Sequence, residues 1–289
     1  MSPRPAPRGR PAPRGAAPSR RGASSARAPR TSEGRPRPPE GLGGDQVEGR
    51  QAVLELLRAR RRGVRKIYMA DAQDPSSVLD AIEDEARKQR VSVQIISQSR
   101  LDREARTEGH QGVMAQAERI ALTSIEELCE RPDAFLLVCD GVTDPRNLGA
   151  ILRSAEGAGV TGVVLPRHRS ARITPAVTKT AAGAIEYLEF AAVGGIPTVV
   201  DYLNRAGVLT VGLAGESRQS LYDLDLAATA VALVVGGEQS GLAPLTRKRC
   251  AAVVSIPQIG VITSLNASVA ASVAAFEVAR QRAQATGSA

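Results

Sequence analysis

Residues 135–165 read FLLVCDGVTDPRNLGAILRSAEGAGVTGVVL. An unbroken apolar run from Phe135 to Cys139 stops at Asp140-Gly141. Asp144 and Pro145 then offer an N-cap and a first helical residue, which predicts a helix over 147–157. Its small residues Gly149, Ala150, Ala155 and Gly157, with Ala158, suit close helix packing. A second apolar run follows at 160–165. Strand, helix and strand in this order build a parallel sheet, and strands without polar alternation are covered on both faces. The alternation continues to the end of the chain. Strands are predicted at 187–191, 208–213, 230–235 and 252–256, and helices at 174–182, 197–205, 244–249 and 265–282. The fold class is therefore α/β with a parallel sheet. Ligands of such sheets bind beyond the carboxyl ends of the strands, so chemistry is expected in the loops that follow strands.

Working outward, residues 121–132 read as a short linker with a helical piece, and 45–120 as a smaller α/β unit. There Val47, Val53, Leu54, Leu56 and Leu57 predict a helix that closes on the basic run Arg58-Ala59-Arg60-Arg61-Arg62. Strands at 64–69, 91–96 and 113–117 and helices at 76–90 and 97–106 complete it. Residues 1–44 are different. The first 40 hold ten arginines, ten prolines and no Leu, Ile, Val, Phe, Tyr or Trp. With Glu33 and Glu40 they account for the whole net charge of +8, so the rest of the chain is neutral overall. Such a tail cannot bury enough apolar surface to offset the entropy of ordering, and disorder is expected there.

Several classes are excluded. Apolar runs are broken by charge or glycine well before the length of a membrane span. The start has no apolar h-region, and it is too rich in proline for an amphipathic transit helix, so the cytoplasm is expected. Cys129, Cys139 and Cys250 stand alone in apolar stretches without CxxC spacing, and there are only two histidines, His110 and His168. Neither a disulfide framework nor a metal site is expected.

Three segments after strands carry polar residues. The first holds Asn147 and Arg153 on a helix expected to be well buried. The second, 234–242, runs a strand into Gly236, Gly237, Glu238 and Gly241. It matches neither GxGxxG nor the phosphate loop GxxxxGK[ST]. The third, 255–268, contains Ile256-Pro257-Gln258-Ile259-Gly260 and then Ser264-Leu265-Asn266, where either Ser264 or Asn266 can cap the last helix. Taken singly, each also reads as ordinary turn and cap chemistry.

Together, in this order and over residues 133–284, they resemble the three signature motifs of the SpoU-type (TrmH-like) branch of the SPOUT RNA methyltransferases. Asn147-Leu148-Gly149-Ala150 with Arg153 matches the first, and Gly236-x-Glu238-x-x-Gly241-Leu242 the second. Ile256-Pro257 with Ser264-Leu265-Asn266-Ala267-Ser268 matches the third. Gly49-Arg50-Gln51-Ala52-Val53 and His110-Gln111-Gly112-Val113 resemble the small ribosomal-protein-like substrate-binding domain of the same enzymes. The resemblance implies S-adenosylmethionine as donor, a ribose 2′-hydroxyl as acceptor and a C-terminal trefoil knot. It also implies a homodimer with the active site completed near the subunit interface. Within the family it lies nearest to the enzymes that methylate a guanosine ribose of 23S ribosomal RNA. An enzyme of the same chemistry acting on transfer RNA or another ribosomal site, including one that confers antibiotic resistance, stays open. So does a non-catalytic RNA-binding assembly factor.

By the resemblance, the catalytic set is Arg153, Asn147, Glu238, Ser264 and Asn266. The cofactor pocket is formed by Gly236, Gly237, Gly241, Ile256, Pro257, Gln258 and Leu265, and Gln258-Ile259 departs from the family's usual Met and small residue. Arg153 is expected at the reacting ribose. A guanidinium is a poor proton acceptor, so a positive charge that eases loss of the hydroxyl proton is as sound a role as that of a base. A buried ion pair of Arg153 with Glu238 or Glu156 is the structural alternative. Arg58, Arg60, Arg61, Arg62, Arg65 and Lys66 form the expected RNA-binding patch, beside the basic tail. Four Tyr, three Phe and no Trp argue against aromatic stacking as the main mode of RNA recognition.

Overall fold

The computed structural model describes residues 42–168, 171–227, 230–262 and 264–287. The tail reading for residues 1–41 lies outside them. Two sheets organise the described residues. The smaller one is built from β1 (Gln46–Glu48), α1 (Arg50–Ala59), β2 (Val64–Ala70), α2 (Ser77–Lys88), β3 (Val93–Ile96), α3 (Gln98–Glu104) and β4 (Val113–Ala117). Its strand order is β1-β4-β2-β3, with β4 antiparallel to β1 and β2, and β3 parallel to β2. Val53, Leu56 and Leu57 of α1 and Ile82 of α2 bury against Ile67 and Val113. Val47 is in a strand and not in the predicted helix. It pairs with Ala115, and Gly49 at φ +102 turns the chain between strand and helix.

After α4 (Ile125–Cys129), capped by Ser124 and Glu127 in a reciprocal box, the larger sheet begins. It contains β5 (Phe135–Asp140), α5 (Pro145–Gly157), β6 (Gly162–Pro166), α6 (Pro175–Thr180), β7 (Glu189–Val193) and α7 (Ile196–Arg205). It continues through β8 (Leu209–Leu213), β9 (Val231–Gly236), α8 (Pro244–Arg249), β10 (Ala252–Val254) and α9 (Ala267–Ala285). All six strands are parallel in the order β10-β8-β9-β5-β6-β7. The period of two sends Leu137 and Leu233 to one face, under Leu148 and Ile151 of α5 and Ala274 and Val278 of α9. Leu136, Val138 and Val234 go to the other, under Val200 and Leu203 of α7. Apolar strands covered on both faces are as predicted.

Residues 42–44 belong to the fold and not to the tail. Leu42 is buried in the larger core, and Gly44 donates its N–H to the Ile173 carbonyl at 2.9 Å. The two sheets are also joined by Arg62, whose side chain is 7% exposed. Its Nε and Nη2 donate to Glu186 at 2.8 and 2.5 Å, and its Nη1 to the carbonyls of Gly44 and Glu118 at 2.5 and 2.6 Å. Among the described residues no helix is long and apolar enough to cross a membrane.

Candidate active site

The register of β5 on β9 sets Asp140 beside Gly236, so the loops that leave these two strands start side by side. Asp140 accepts the N–H of Ala243 at 2.8 Å and ties the start of α8 to the end of β5. Between β9 and α8 the chain closes on itself. Gly241, at φ +61, donates to the Gly237 carbonyl at 2.9 Å. A Cβ at Gly236 would lie 2.1 Å from the Gly241 carbonyl carbon, and one at Gly237 2.4 Å from the Gly141 oxygen. Side chains are excluded at both positions, which explains the glycines. The closed turn carries Glu238 outward.

Three residues from three distant segments then form one chain of hydrogen bonds. Asn266 is the N-cap of α9, and its Oδ1 accepts from the Ser268 and Val269 N–H groups at 2.8 and 3.4 Å. That use of Oδ1 points its Nδ2 at Asn147, whose Oδ1 accepts at 3.1 Å. Asn147 therefore presents its own Nδ2 to Glu238 Oε1, at 2.7 Å. The cap fixes one amide, that amide fixes the next, and the last holds a carboxylate. Of the two candidate caps it is Asn266 that caps α9, and Ser264 is exposed.

A cavity of about 500 Å³ opens beyond the ends of β8, β9 and β10. Gly236, Gly237, Glu238 and Gly241 line one side of it, and Ile256, Gln258, Ser264 and Leu265 another. Pro257 lies in the chain between two of these residues but does not itself line the cavity. The loop after β8 also contributes, through Leu213, Ala214, Gly215 and Glu216, with Glu216 ion-paired to Arg247 of α8. Nothing in the sequence of that loop marks it as functional except its place after a strand. The volume suits a nucleoside-sized ligand. Glycine backbone beside apolar Ile256 and Leu265 offers main-chain hydrogen bonding and an apolar face. The cavity therefore fits S-adenosylmethionine.

Arg153 is elsewhere. It is exposed, not buried, and makes no ion pair with Glu238 or Glu156 among the described residues. Six residues along α5 place it about 9 Å further down the axis and on a different face from Asn147. It lines a separate cavity between α5 and α1, with Glu55 and Tyr187. Within one chain, then, Asn147, Glu238 and Asn266 converge, while Arg153 stands apart.

The predicted basic patch is mostly committed to acids. Arg58 pairs with Glu55 at 3.0 Å, Arg60 with Glu85 at 3.3 Å and Arg61 with Glu189 at 3.7 Å. Arg62 turns its side chain inward, where it is 7% exposed and spends its donors on Glu186 and on the Gly44 and Glu118 carbonyls. Arg65 is exposed, and Lys66 lies over the Tyr68 ring at 5.3 Å. The motif residues of the smaller unit do come together. Gln111 Oε1 accepts the Arg50 N–H at 3.1 Å, and Arg50 Nε donates to the Gln111 carbonyl at 3.0 Å. His110 is buried, with Nε2 at 2.9 Å from Asp102 and Nδ1 accepting from the Gly112 N–H at 3.1 Å. The cysteines are unpaired, and burial pushes the Cys139 thiol up to about 12 and that of Cys250 up to about 11.

The model of the SpoU rRNA Methylase family matches residues 134–276, and that for RNA 2′-O ribose methyltransferase substrate binding matches residues 46–122. The chain belongs to the SpoU rRNA methylase family. It is 41% identical over 241 residues to the 23S rRNA (guanosine-2′-O-)-methyltransferase RlmB of Xylella fastidiosa, covering 82% of this chain and 96% of that protein. It is 38% identical to RlmB of Pseudomonas putida over 244 residues, covering 82% and 97%. Among solved structures, the SpoU methyltransferase AviRb from Streptomyces viridochromogenes, in complex with the cofactor AdoMet, has the same fold. Its TM-score is 0.70 at 24% identity, covering 83% of this chain and 90% of AviRb.

Proposed function

We propose that this protein transfers a methyl group from S-adenosylmethionine to the 2′-hydroxyl of a guanosine ribose in 23S ribosomal RNA, in the cytoplasm. The observation that carries the reading is the hydrogen-bonded set Asn147, Glu238 and Asn266 at the mouth of a nucleoside-sized cavity in a chain of this family. Identity to RlmB proteins over most of their length supports the substrate.

When bound, S-adenosylmethionine supplies an electrophilic methyl carbon on a sulfonium. The 236–241 turn and Ile256, Gln258 and Leu265 would hold it, with Pro257 setting the direction of their loop. Asn147 and Glu238 would orient the ribose hydroxyl at the mouth, because in-line displacement demands alignment of the reacting atoms. Arg153 would bind the ribose and its phosphate and ease loss of the hydroxyl proton through its charge. Ser264, exposed on the cavity wall, would contact cofactor or ribose.

The two parts of this machinery stand apart in one chain, and a homodimer would bring Arg153 of one copy to the cavity of the other. Exposed Ile259, Val261 and Ile262 beside the cavity, and Val269 and Phe276 on the outer face of α9, support such an interface. The sheet order also fits a trefoil knot. The chain runs from β9 past β8 to β10 and returns with α9 against α5 and β9. Residues 45–120 would serve as the RNA-binding domain, 121–132 as the linker and 133–284 as the methyltransferase domain. Arg58, Arg60, Arg61, Arg65 and Lys66 would contact phosphates, with the arginine-rich tail.

The test is methyl transfer from labelled S-adenosylmethionine to separate pools of 23S rRNA and tRNA from cells lacking their own methylation. Label in 23S rRNA alone supports the reading. Label confined to tRNA, or no cofactor binding by calorimetry, refutes it.

A further inference from the structure

The cavity that holds Arg153 measures about 460 Å³ and is walled by both halves of the chain. From α5 come Arg153 and Glu156, one helical turn apart and about 4.5 Å along the axis. From α1 come Gln51 and Glu55, and from the stretch after α6 come Ala184 and Tyr187. The closeness of the two halves is built in. Gly183, at φ +92, faces α1, and a Cβ there would stand 2.3 Å from that of Glu55. Its neighbour Ala182 also lines the cavity and holds a left-handed φ of +50 without being glycine.

The groups in the wall divide into spent and available. Glu55 is already engaged, accepting from Gln51 at 2.8 Å, Arg58 at 3.0 Å and Tyr187 Oη at 2.6 Å. The Tyr187 hydroxyl is pushed up to about 12, chiefly by desolvation and then by its bond to Glu55 and the charges of Glu55 and Glu156. It stays a donor to Glu55, and the bond pins an exposed aromatic ring in the wall. Glu156 has no side-chain hydrogen bond or ion pair among the described residues, and neither has Arg153. A flat fixed ring, an unspent carboxylate and an unspent guanidinium thus share one cavity of nucleoside size.

We infer that this cavity seats the guanine base of the nucleotide being methylated, with Tyr187 stacked on the ring and Glu156 accepting its N1–H and N2–H. The inference rests on the function proposed above and deepens it by naming what reads the base. A carboxylate only accepts, and guanine alone offers two adjacent donors on its Watson–Crick edge. Adenine and cytosine set a ring-nitrogen acceptor against the carboxylate, and uracil offers one N–H between two carbonyls. Enzymes that act on splayed nucleotides read them by such edge contacts and stacking. Arg153, one turn away, is left to the ribose and phosphate of the same nucleotide.

The test uses the full chain and an rRNA fragment carrying the labelled guanosine, made also with inosine at that position. Inosine lacks only the N2 amine. kcat/KM is measured on both RNAs for the wild type and Glu156→Gln, with S-adenosylmethionine affinity measured separately by calorimetry. Wild type should prefer guanosine about thirtyfold, the range of one good polar base contact. Glu156→Gln should lose most of that on guanosine and less than about threefold on inosine, with cofactor affinity unchanged, as expected when one polar contact is removed. Tyr187→Ala should raise KM about tenfold, whereas Tyr187→Phe, which keeps the ring, should stay within about twofold. A guanosine-to-inosine ratio unchanged in Glu156→Gln overturns the base reading while leaving the methyltransferase intact. Absence of any guanosine methylation by the wild type overturns both.

Discussion

Arg62→Ala should unfold the junction between the two halves of the chain. Arg62 and Glu186 are 7% and 3% exposed and joined by two hydrogen bonds, and Arg62 Nη1 also holds the Gly44 and Glu118 carbonyls. Removing the guanidinium leaves Glu186 charged, buried and without its partner, and takes the side-chain donor from the Gly44 and Glu118 carbonyls. Breaking a buried pair from one side costs about 3–5 kcal/mol. For a chain of this size that lowers Tm by about 6–20 °C. Replacing both partners, as Arg62→Met with Glu186→Leu, should recover at least half of the loss, because no buried charge is left alone. The assay is chemical denaturation of the wild type and Arg62→Ala, together with Arg62→Met, Glu186→Leu and their double variant read as a cycle. Filter binding of RNA against salt is run in parallel. Arg65→Ala should reduce the salt slope by about one phosphate contact, and Arg62→Met/Glu186→Leu should not. A loss below about 1 kcal/mol in Arg62→Ala would refute the buried clamp, that being the scale of an exposed pair.

Asn266→Ala removes the cap of α9 and the donor to Asn147, so denaturation should show a loss of about 1–2 kcal/mol, and methyl transfer should fall with it. Gly236→Ala should abolish S-adenosylmethionine binding in calorimetry, because its Cβ would fall 2.1–2.3 Å from the backbone of Gly241 and Leu242. Arg153→Ala should bind S-adenosylmethionine normally and lose about a hundredfold or more in single-turnover methyl transfer. Cys139, with its thiol raised to about 12, should resist thiol reagents at pH 8 and react only on unfolding, as mass spectrometry of labelled peptides would show. A raised thiol pKa keeps the thiolate scarce throughout the range below it, so the folded protein should stay unlabelled there.

The alternation of apolar runs and capped helices made the larger sheet legible, since those signals are local to residues 135–165 and their successors. Asp144 caps α5 through the Arg146 N–H at 2.9 Å, as the side chain alone indicates. Val47 misled because a three-residue strand has no period of its own, and β1 exists only by pairing with β4. Arg62 reads as one of a basic run, and its burial depends on a carboxylate 124 residues away. The convergence of Asn147, Glu238 and Asn266 was visible as three motifs in order, but their hydrogen bonds depend on sheet order, which brings β9 beside β5. That order also brings the loop after β8 to the cavity, which no local pattern shows. The separation of Arg153 from Asn147 was present in the helical period and becomes decisive only once α1 supplies the opposite wall of a second cavity.

The most direct measurement is nucleoside analysis of the reaction product. 23S rRNA lacking its own methylation is incubated with the protein and labelled S-adenosylmethionine, digested completely, and examined for methylated nucleosides and alkali-resistant linkages. The account predicts 2′-O-methylguanosine at a single position, resistant to alkali at that linkage. A methyl group on a base or on another nucleoside's ribose, or 23S rRNA left unlabelled, would contradict it.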